Sequence, residues 1–180
     1  MDFALKQGRH IQHYGTDAKF WDYISDNYSQ LAKYYEHLFG VFLRRDSNER
    51  DVYYYLDFPE DGHGRFVGDR NKDIDPRMVI VGVLLLNLYK ERFFEGKDVK
   101  WTTLETIIEE GEHKEYWQRL LYGEVKRNYT PNEKDEMKRR MERTLNEFDR
   151  LGWINWVERD TLHFEMLPAI DRLSKLYANE

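Results

Sequence analysis

The stretch from Thr130 to Leu167 constrains the fold more than any other part of the chain, because a strong helix signal runs directly into a strand signal. Thr130 and Glu133 have the spacing of a capping box, and Pro131 suits the first helical position. Gly152 has the position of a glycine that ends a helix. Between these boundaries apolar side chains recur every three or four residues, at Met137, Met141, Leu145, Phe148 and Leu151. The stretch therefore predicts one long amphipathic helix.

A β-hairpin is predicted immediately after this helix. Residues 153–157 contain strand-forming aromatic and β-branched side chains, and residues 158–160 are a polar turn. Leu162, Phe164 and Met166 then alternate with polar residues, as in a half-buried strand. A helix followed at once by a hairpin is the core of a winged helix, in which the hairpin is the wing.

The first half of the chain repeats this pattern. A helical apolar stripe precedes Gly40, and it consists of Leu31, Tyr34, Tyr35 and Leu38. Residues 41–43 begin a strand, residues 47–51 form a polar turn, and residues 52–56 return as a second strand. Two copies of one pattern predict tandem winged-helix domains with two β-hairpin wings, in an α+β fold that is mostly helical.

Composition changes between the two copies and indicates where the domains meet. The segment 59–75 is rich in glycine and charge, which is typical of a linker or a long exposed loop. The predicted organisation is therefore an N-terminal winged-helix domain over residues 1–58, a linker over 59–75, and a C-terminal winged-helix domain over 76–180.

Cap signals place further helices. Asp75 and Pro76 begin one by the cap-then-proline rule, and because residues 78–88 are apolar almost all round, this helix should be centrally buried. Thr102 and Glu105 form a second candidate capping box, after a short strand at residues 99–101. The other predicted helices cover residues 3–11, 20–28 and 117–121, and one begins at Pro168.

The overall composition excludes several classes of protein. A formal net charge of −6 disfavours a free-standing nucleic-acid binder. The absence of cysteine excludes disulfides and thiol catalysis, and it suits a cytoplasmic protein. The N-terminus lacks an apolar signal core, and the longest apolar run, residues 79–86, is far shorter than the roughly 20 residues that span a bilayer. We therefore expect no membrane association.

No catalytic or cofactor motif is complete in this sequence. The glycine-rich stretch near Val67 lacks the third glycine of a dinucleotide fingerprint, and a phosphate loop would need glycine at Glu91 and Ser or Thr at Asp98. His10 and His13 have a metal-compatible spacing, but a third ligand is missing. The sequence thus predicts a protein without cofactor or metal that is not an enzyme.

Basic residues cluster on the long helix and beside it, and in a winged helix the helix before the wing commonly enters the major groove. The candidate DNA-binding residues are Lys126, Arg127, Lys138, Arg139, Arg143 and Arg159. Arg139 and Arg143 are four residues apart and should share a face. Acidic residues are interleaved with these cations, so a solvated helix face with i,i+4 ion pairs remains the alternative.

A run of three tyrosines suggests a binding surface for a partner chain. One side of the strand containing Tyr53, Tyr54 and Tyr55 should face the core, which leaves Tyr53 and Tyr55 to stack on a partner. Aromatic residues make up 16% of the chain, more than two small cores require. Because large apolar patches usually mark interfaces, we expect a homodimer.

The chain resembles the MukE/MksE family, the kite subunits of bacterial condensin-like SMC complexes. The resemblance rests on the order and spacing of three stretches, FWDYISDNYSQLAKYYEHLFGVFLRRDSNERDVYYYLDFPEDGHG, VIVGVLLLNLYK and TLNEFDRLGWI, and it covers about residues 20–154. It implies a non-enzymatic tandem winged-helix protein that dimerises and clamps a kleisin, which is MukF/MksF-like. Through the kleisin it would join an SMC ATPase, which is MukB/MksB-like. The basic residues of the long helix add double-stranded DNA as an expected partner, bound without sequence preference.

The resemblance also implies a nucleoid-associated role, either in chromosome condensation and segregation or in plasmid defence. The alternative from the residues alone is a winged-helix transcriptional regulator that binds an operator as a dimer. Such a regulator should carry a more basic face and bind DNA tightly by itself, whereas a kite subunit should depend on its kleisin. A nuclease has little support, because no carboxylate–lysine cluster follows a convincing strand pair.

Overall fold

The computed structural model describes residues 1–48, 51–59, 75–91 and 97–177, and the chain forms two compact units. Unit 1 comprises Met1–Asp73 together with Arg150–Trp153, and unit 2 comprises Ile74–Asp149 together with Ile154–Glu180. Each unit contains one three-stranded antiparallel sheet. The predicted α+β class is therefore confirmed. Apart from its two end residues, the predicted linker 59–75 lies outside the described part of the chain.

Unit 1 combines two helices with its sheet, whose strand order is β1-β3-β2. Its elements are α1 (Asp2–Lys6), β1 (Ile11–Gln12), a 3-10 turn (Gly15–Asp17), α2 (Ala18–Phe39), β2 (Phe42–Asn48) and β3 (Asp51–Asp57). The predicted helix over residues 3–11 is wrong in its second half, because Ile11 pairs with Tyr54 as a strand residue. Two helices that the sequence separates are one helix, α2, with non-helical backbone at Asn27 (φ −115°, ψ 17°).

The core of unit 1 lies between α2 and one face of the sheet. Ile24 and Tyr35 of α2 are fully buried and pack in one cluster with Tyr54 and Leu56 of β3. The indole N–H of Trp21 donates to the Val52 carbonyl at 2.9 Å, which ties the helix to the strand through a polar contact as well.

Unit 2 contains most of the helices and a sheet of order β4-β6-β5. Its elements are α3 (Pro76–Glu91), β4 (Asp98–Val99), α4 (Trp101–Glu110), α5 (Lys114–Tyr122), α6 (Pro131–Leu151, of which the last two residues belong to unit 1), β5 (Ile154–Glu158), β6 (His163–Met166), a 3-10 turn (Pro168–Asp171) and α7 (Arg172–Tyr177). None of the described helices is long and apolar enough to cross a membrane.

Of the three helix starts in unit 2 that a capping residue predicts, two are confirmed by their cap contacts. The Thr130 N–H donates to the Glu133 carboxylate at 2.7 Å, and the Glu133 N–H donates back to the Thr130 hydroxyl at 3.4 Å. The Asp75 carboxylate accepts the Arg77 N–H at 2.8 Å and caps α3, several of whose apolar residues are buried as predicted. These caps are local, so sequence spacing suffices to predict them.

The third predicted start, the capping box of Thr102 and Glu105, is wrong. Helix α4 begins at Trp101, after Lys100 in an extended conformation, and Lys100 makes no side-chain cap. The Lys100 carbonyl accepts the N–H groups of Thr103 and Leu104, so Thr102 lies inside the first turn. The short strand predicted at 99–101 correspondingly stops at Val99.

The helix–glycine–hairpin pattern occurs twice, as predicted. Gly40 follows α2 with φ 66° and Gly152 follows α6 with φ 74°, both in the left-handed region that favours glycine. The hairpin β2–β3 and the hairpin β5–β6 belong to separate sheets. The two glycines therefore occupy equivalent places in the chain.

Candidate nucleic-acid and partner-binding surfaces

The tyrosine run of β3 is buried, which corrects the prediction that Tyr53 and Tyr55 face a partner chain. Tyr53 is 0% exposed and Tyr55 is 8% exposed, and Tyr54 on the opposite face is 2% exposed. Strand β3 is central in its sheet, between β1 and β2. Both of its faces are covered within unit 1, so these side chains offer no surface to another polypeptide.

Residues distant in sequence cover the second face of β3. The His10 ring stacks on Tyr55 with centroids 5.2 Å apart, and the Trp153 ring lies 6.0 Å from His10. The backbone N–H of His10 donates to the Leu151 carbonyl at 2.8 Å, and the buried Gln12 side chain donates to the Gly152 carbonyl. These contacts place the end of α6 in unit 1, and no local sequence signal indicates them.

The exposed aromatic surface of unit 1 lies on α2 instead. Tyr23, Tyr34 and Leu38 are 53%, 41% and 47% exposed, although all three are large and apolar. Tyr34 and Leu38 are four residues apart and share one side of the helix, and Tyr23, which precedes the non-helical backbone at Asn27, lines the same groove as Tyr34. We call these three residues the α2 apolar face. A shallow groove beside it is lined by Met1, Asp2, Tyr23, Tyr34 and Tyr35, among others. Of the predicted helical stripe, Tyr35 is fully buried, whereas Tyr34 and Leu38 are exposed.

Among the described residues, four of the six predicted DNA-binding residues form no ion pair, and three of these four lie on α6. In the described part of the chain, no carboxylate forms an ion pair with Lys138, Arg139 or Arg143. Arg139 and Arg143 are exposed, and Lys138 is half-buried. The Arg143 side chain donates to the Arg139 carbonyl at 3.3 Å, as expected for residues one helical turn apart.

Two other predicted residues are neutralised by neighbouring acids. Arg159 donates to the Asp149 carboxylate at 3.0 Å, and Lys126 lies 2.7 Å from both Glu124 and Glu133. The hydrogen bonds from Lys126 to Glu124 and to Glu133 raise the pKa of Lys126 above its usual value. The same Lys126 contact, with help from the Thr130 N–H, lowers the pKa of Glu133 to about 2.

Arg127 is exposed, and no ion pair of its side chain is found among the described residues. It lies in the loop before α6, apart from the helix positions that carry the other uncompensated charges.

The predicted cations on α6 line two separate concavities. Lys138 and Arg139 line the first, beside the hairpin, together with Arg159 and Leu162. Three carboxylates line the same concavity, those of Asp135, Glu142 and Asp160. Arg143 lines the second, between α3, α5 and α6. Arg139 and Arg143 are therefore one helical turn apart on α6, as predicted, but they line different concavities.

Leu162 shapes the tip of the hairpin beside the first concavity. It has φ 48°, which is unusual for a branched residue, and it is 2% exposed. Its N–H donates to the Arg159 carbonyl at 3.0 Å, which closes the turn. The buried leucine side chain anchors a turn that carries Arg159 at the surface.

The described residues form no cluster of metal-ligating side chains. Within 1–48, 51–59, 75–91 and 97–177, no three His, Asp or Glu side chains are grouped so that they could hold a metal ion. His13 contacts Asp22 at 3.4 Å, and His10 is stacked on Tyr55, so the two histidines are engaged separately.

Comparison with known proteins identifies the class of this protein. A family described as "Condensin complex protein MksE" matches residues 1–178. The chain therefore belongs to the MksE family, and it is a subunit of a condensin-like complex. This confirms the family resemblance in the sequence and does not favour a transcriptional regulator. No curated protein matches the chain significantly.

Proposed function

We propose that this protein is a non-enzymatic kite-type subunit that binds a kleisin and contacts DNA in a bacterial SMC complex. The observation that carries the proposal is the MksE family match, which extends over residues 1–178. The complex would support chromosome condensation and segregation or plasmid defence, in the cytoplasm and in association with the nucleoid. The kleisin would link the protein to the SMC ATPase.

The repeated helix–glycine–hairpin units support a tandem winged-helix architecture. In each copy a long helix ends at a left-handed glycine, and an antiparallel hairpin follows directly. A third short strand, β1 in one copy and β4 in the other, pairs with the second hairpin strand. A helix packed beside a small hairpin sheet is the arrangement that winged-helix domains use.

DNA contact is proposed for the exposed face of α6. Lys138, Arg139 and Arg143 have no carboxylate partner among the described residues, so phosphate oxygens can neutralise them. Acidic residues are interleaved on the same helix and the chain carries −6 net, so binding by this protein alone should be weak. Phosphate contacts carry no base information, hence we expect no sequence preference.

The DNA proposal is tested by charge reversal on α6. Arg139→Glu with Arg143→Glu should weaken binding of a random-sequence duplex by the protein–kleisin assembly. Each lost phosphate contact should also reduce the slope of log affinity against log salt by about 1. Fluorescence anisotropy at several salt concentrations measures both quantities.

The matched control reverses two exposed cations on α2, Lys19 and Lys33. This double reversal changes the net charge by the same amount as the double reversal on α6. Equal losses in the two double variants would mean that net charge alone matters, and the α6 site would be abandoned. Lys138→Glu with Arg139→Glu, compared with Arg143→Glu alone, separates the contributions of the two concavities.

A homodimer is proposed through the α2 apolar face. Tyr23, Tyr34 and Leu38 expose large apolar side chains on a helix whose opposite side is buried in unit 1. Exposed apolar patches of this kind commonly mark interfaces. Light scattering over a range of concentrations tests the dimer, and a constant mass of 22.0 kDa would contradict it.

Kleisin dependence distinguishes the proposed function from the operator-binding alternative. The gene neighbourhood should supply a kleisin and an SMC ATPase, and co-expression should yield a complex that purifies together. The protein alone should bind duplex DNA weakly. Tight, sequence-selective binding by the isolated dimer, without co-purification of a kleisin, would favour a regulator instead.

A further inference from the structure

A groove in unit 2 lies between α3, α5 and α6, is lined by both apolar and polar side chains, and encloses a cavity of about 350 Å³. Met78 of α3 with Met137 and Met141 of α6 line it, and we call it the methionine groove. Met137 and Met141 are almost fully buried and form its floor, whereas Leu120 of α5 is 37% exposed at its edge. Methionine side chains are flexible and polarizable, which suits surfaces that accept apolar side chains from a partner.

The rim of the methionine groove is basic. Arg77, Arg140 and Arg143 line it, and Arg140 pairs with Glu136. No ion pair is formed by the guanidinium of Arg77 or of Arg143 within the described residues. The one acidic residue of the lining, Asp75, already accepts the Arg77 N–H as the cap of α3. Among the described residues, three arginines and one carboxylate therefore line the groove around its methionine floor, and this rim is net positive in a chain whose net charge is −6.

We propose that the methionine groove binds an acidic amphipathic segment of another polypeptide. Apolar side chains of the segment fill the groove, and its carboxylates pair with Arg77, the rim arginine that forms no ion pair among the described residues and is not one of the proposed DNA residues. This is the helix-in-groove mode of recognition, in which apolar anchors provide affinity and flanking charges fix orientation. The inference deepens the proposed function and rests on it in one respect, because the kleisin is the polypeptide expected to supply the segment.

The combination of floor and rim selects this occupant over others. A nucleic-acid backbone could pair with the arginines, but it would leave the apolar floor without a partner. A neutral apolar peptide would fill the floor, but it would leave the guanidinium groups unpaired. Only a segment that carries both apolar side chains and carboxylates satisfies the whole lining.

The direct test uses a synthetic probe and does not require the natural partner. A fluorescein-labelled helical peptide with leucines at i, i+3, i+4 and i+7 and flanking glutamates is titrated with the full chain, and anisotropy is recorded. Two matched peptides replace all glutamates by glutamine or all leucines by serine. We expect saturable binding of the acidic peptide and at least about tenfold weaker binding of each matched peptide.

Two protein variants locate the binding site. Arg77→Glu changes a rim residue that is not on α6, so it leaves the proposed DNA residues intact, and we expect at least about tenfold weaker peptide binding. Lys114→Glu reverses an exposed cation on α5 outside the groove, and its affinity should stay within about twofold of the wild type, since it makes no contact with the peptide. Circular dichroism confirms that both variants are folded.

The outcomes separate this inference from the proposed function. No saturable binding, binding that ignores the glutamates, or equal loss in the two variants overturns the inference. The inference is also overturned if the peptide competes with self-association of the chain, because a second copy of the chain would then occupy the groove.

If the kleisin co-purifies equally with wild type and Arg77→Glu, the groove assignment fails and the proposed function stands. If the acidic peptide binds as expected but no kleisin does, the proposed function fails and the groove assignment stands.

Discussion

The two helix–glycine–hairpin copies share their backbone design but expose different chemistry. In the first copy, α2 presents Tyr23, Tyr34 and Leu38 to solvent. In the second, the exposed side of α6 presents arginines, including Arg139 and Arg143. The same local architecture therefore carries an apolar surface in one copy and a charged surface in the other.

The hairpins differ less than the helices. Arg44 of the first hairpin pairs with Asp57 across the strands at 3.1 Å, and Arg159 of the second pairs with Asp149 at 3.0 Å. One arginine of each hairpin is thus compensated by a nearby carboxylate. Because exposed ion pairs contribute little stability, their main effect is to reduce the positive charge of each hairpin. The functional difference between the copies should reside in the helices.

The largest expected effect concerns the glycine of the second copy. A Cβ at Gly152 would overlap the His10 carbonyl oxygen, and the backbone is in the left-handed region. Gly152→Ala should therefore lower the free energy of unfolding by about 3 kcal/mol, as backbone strain and steric overlap combine. Urea denaturation followed by circular dichroism measures the loss.

Gly123→Ala is the matched control for this prediction. Gly123 has φ 84°, and nothing lies within 4 Å of a Cβ placed there, so it reports the backbone strain alone. We expect a loss of about 1–2 kcal/mol. Equal losses at the two positions would mean that the His10 contact adds no constraint to the second copy.

The next effect concerns the α2 apolar face of the first copy. Leu38→Glu places a charge among exposed apolar side chains, so the dimer dissociation constant should rise at least about tenfold, which is about 1.4 kcal/mol. Val157→Glu is the control, since Val157 is also exposed, at 55%, but belongs to the second copy. Sedimentation equilibrium on both variants measures the constants, and equal effects would remove the dimer from α2.

A smaller effect distinguishes the helix starts of the two copies. Helix α6 begins with the capping box of Thr130, whereas α2 has no side-chain cap. Thr130→Ala should cost about 1 kcal/mol of unfolding free energy. Thr102→Ala should change it by less than about 0.5 kcal/mol, because Thr102 lies within the first turn of α4 and is exposed. Thermal and urea denaturation compare the two variants, and a larger loss at Thr102 would contradict the observed start of α4.

The smallest effect is the pH dependence of the same cap. Hydrogen bonds from Lys126 and from Thr130 lower the pKa of Glu133 from 4.5 to about 2, so folding favours its ionised form. The stabilisation is complete above pH 4.5 and disappears as pH falls towards 2. The difference in unfolding free energy between wild type and Glu133→Gln should follow that course in urea titrations. A difference that stays constant between pH 7 and pH 3 would show that the Glu133 charge has no role in the cap.

Local signals in the sequence determined where the main helices begin and end. The Thr130–Glu133 box and the Asp75 cap are satisfied within three residues, and Gly40 and Gly152 require only their own backbone conformation. Such contacts depend on spacing along the chain, which any reader of the sequence can see. For the same reason the duplicated helix–hairpin pattern and the family resemblance could be predicted from residues alone.

Tertiary structure alone decided which side chains are available to partners. Tyr53 and Tyr55 alternate as a half-exposed strand would, but they are buried because His10 and Trp153 cover their side of the sheet. Arg159 belongs to the same basic cluster as Arg139 in the sequence, but Asp149 neutralises it in the folded chain. Burial and charge compensation depend on atoms brought together by folding, and hydrophobic pattern and residue spacing do not specify those neighbours.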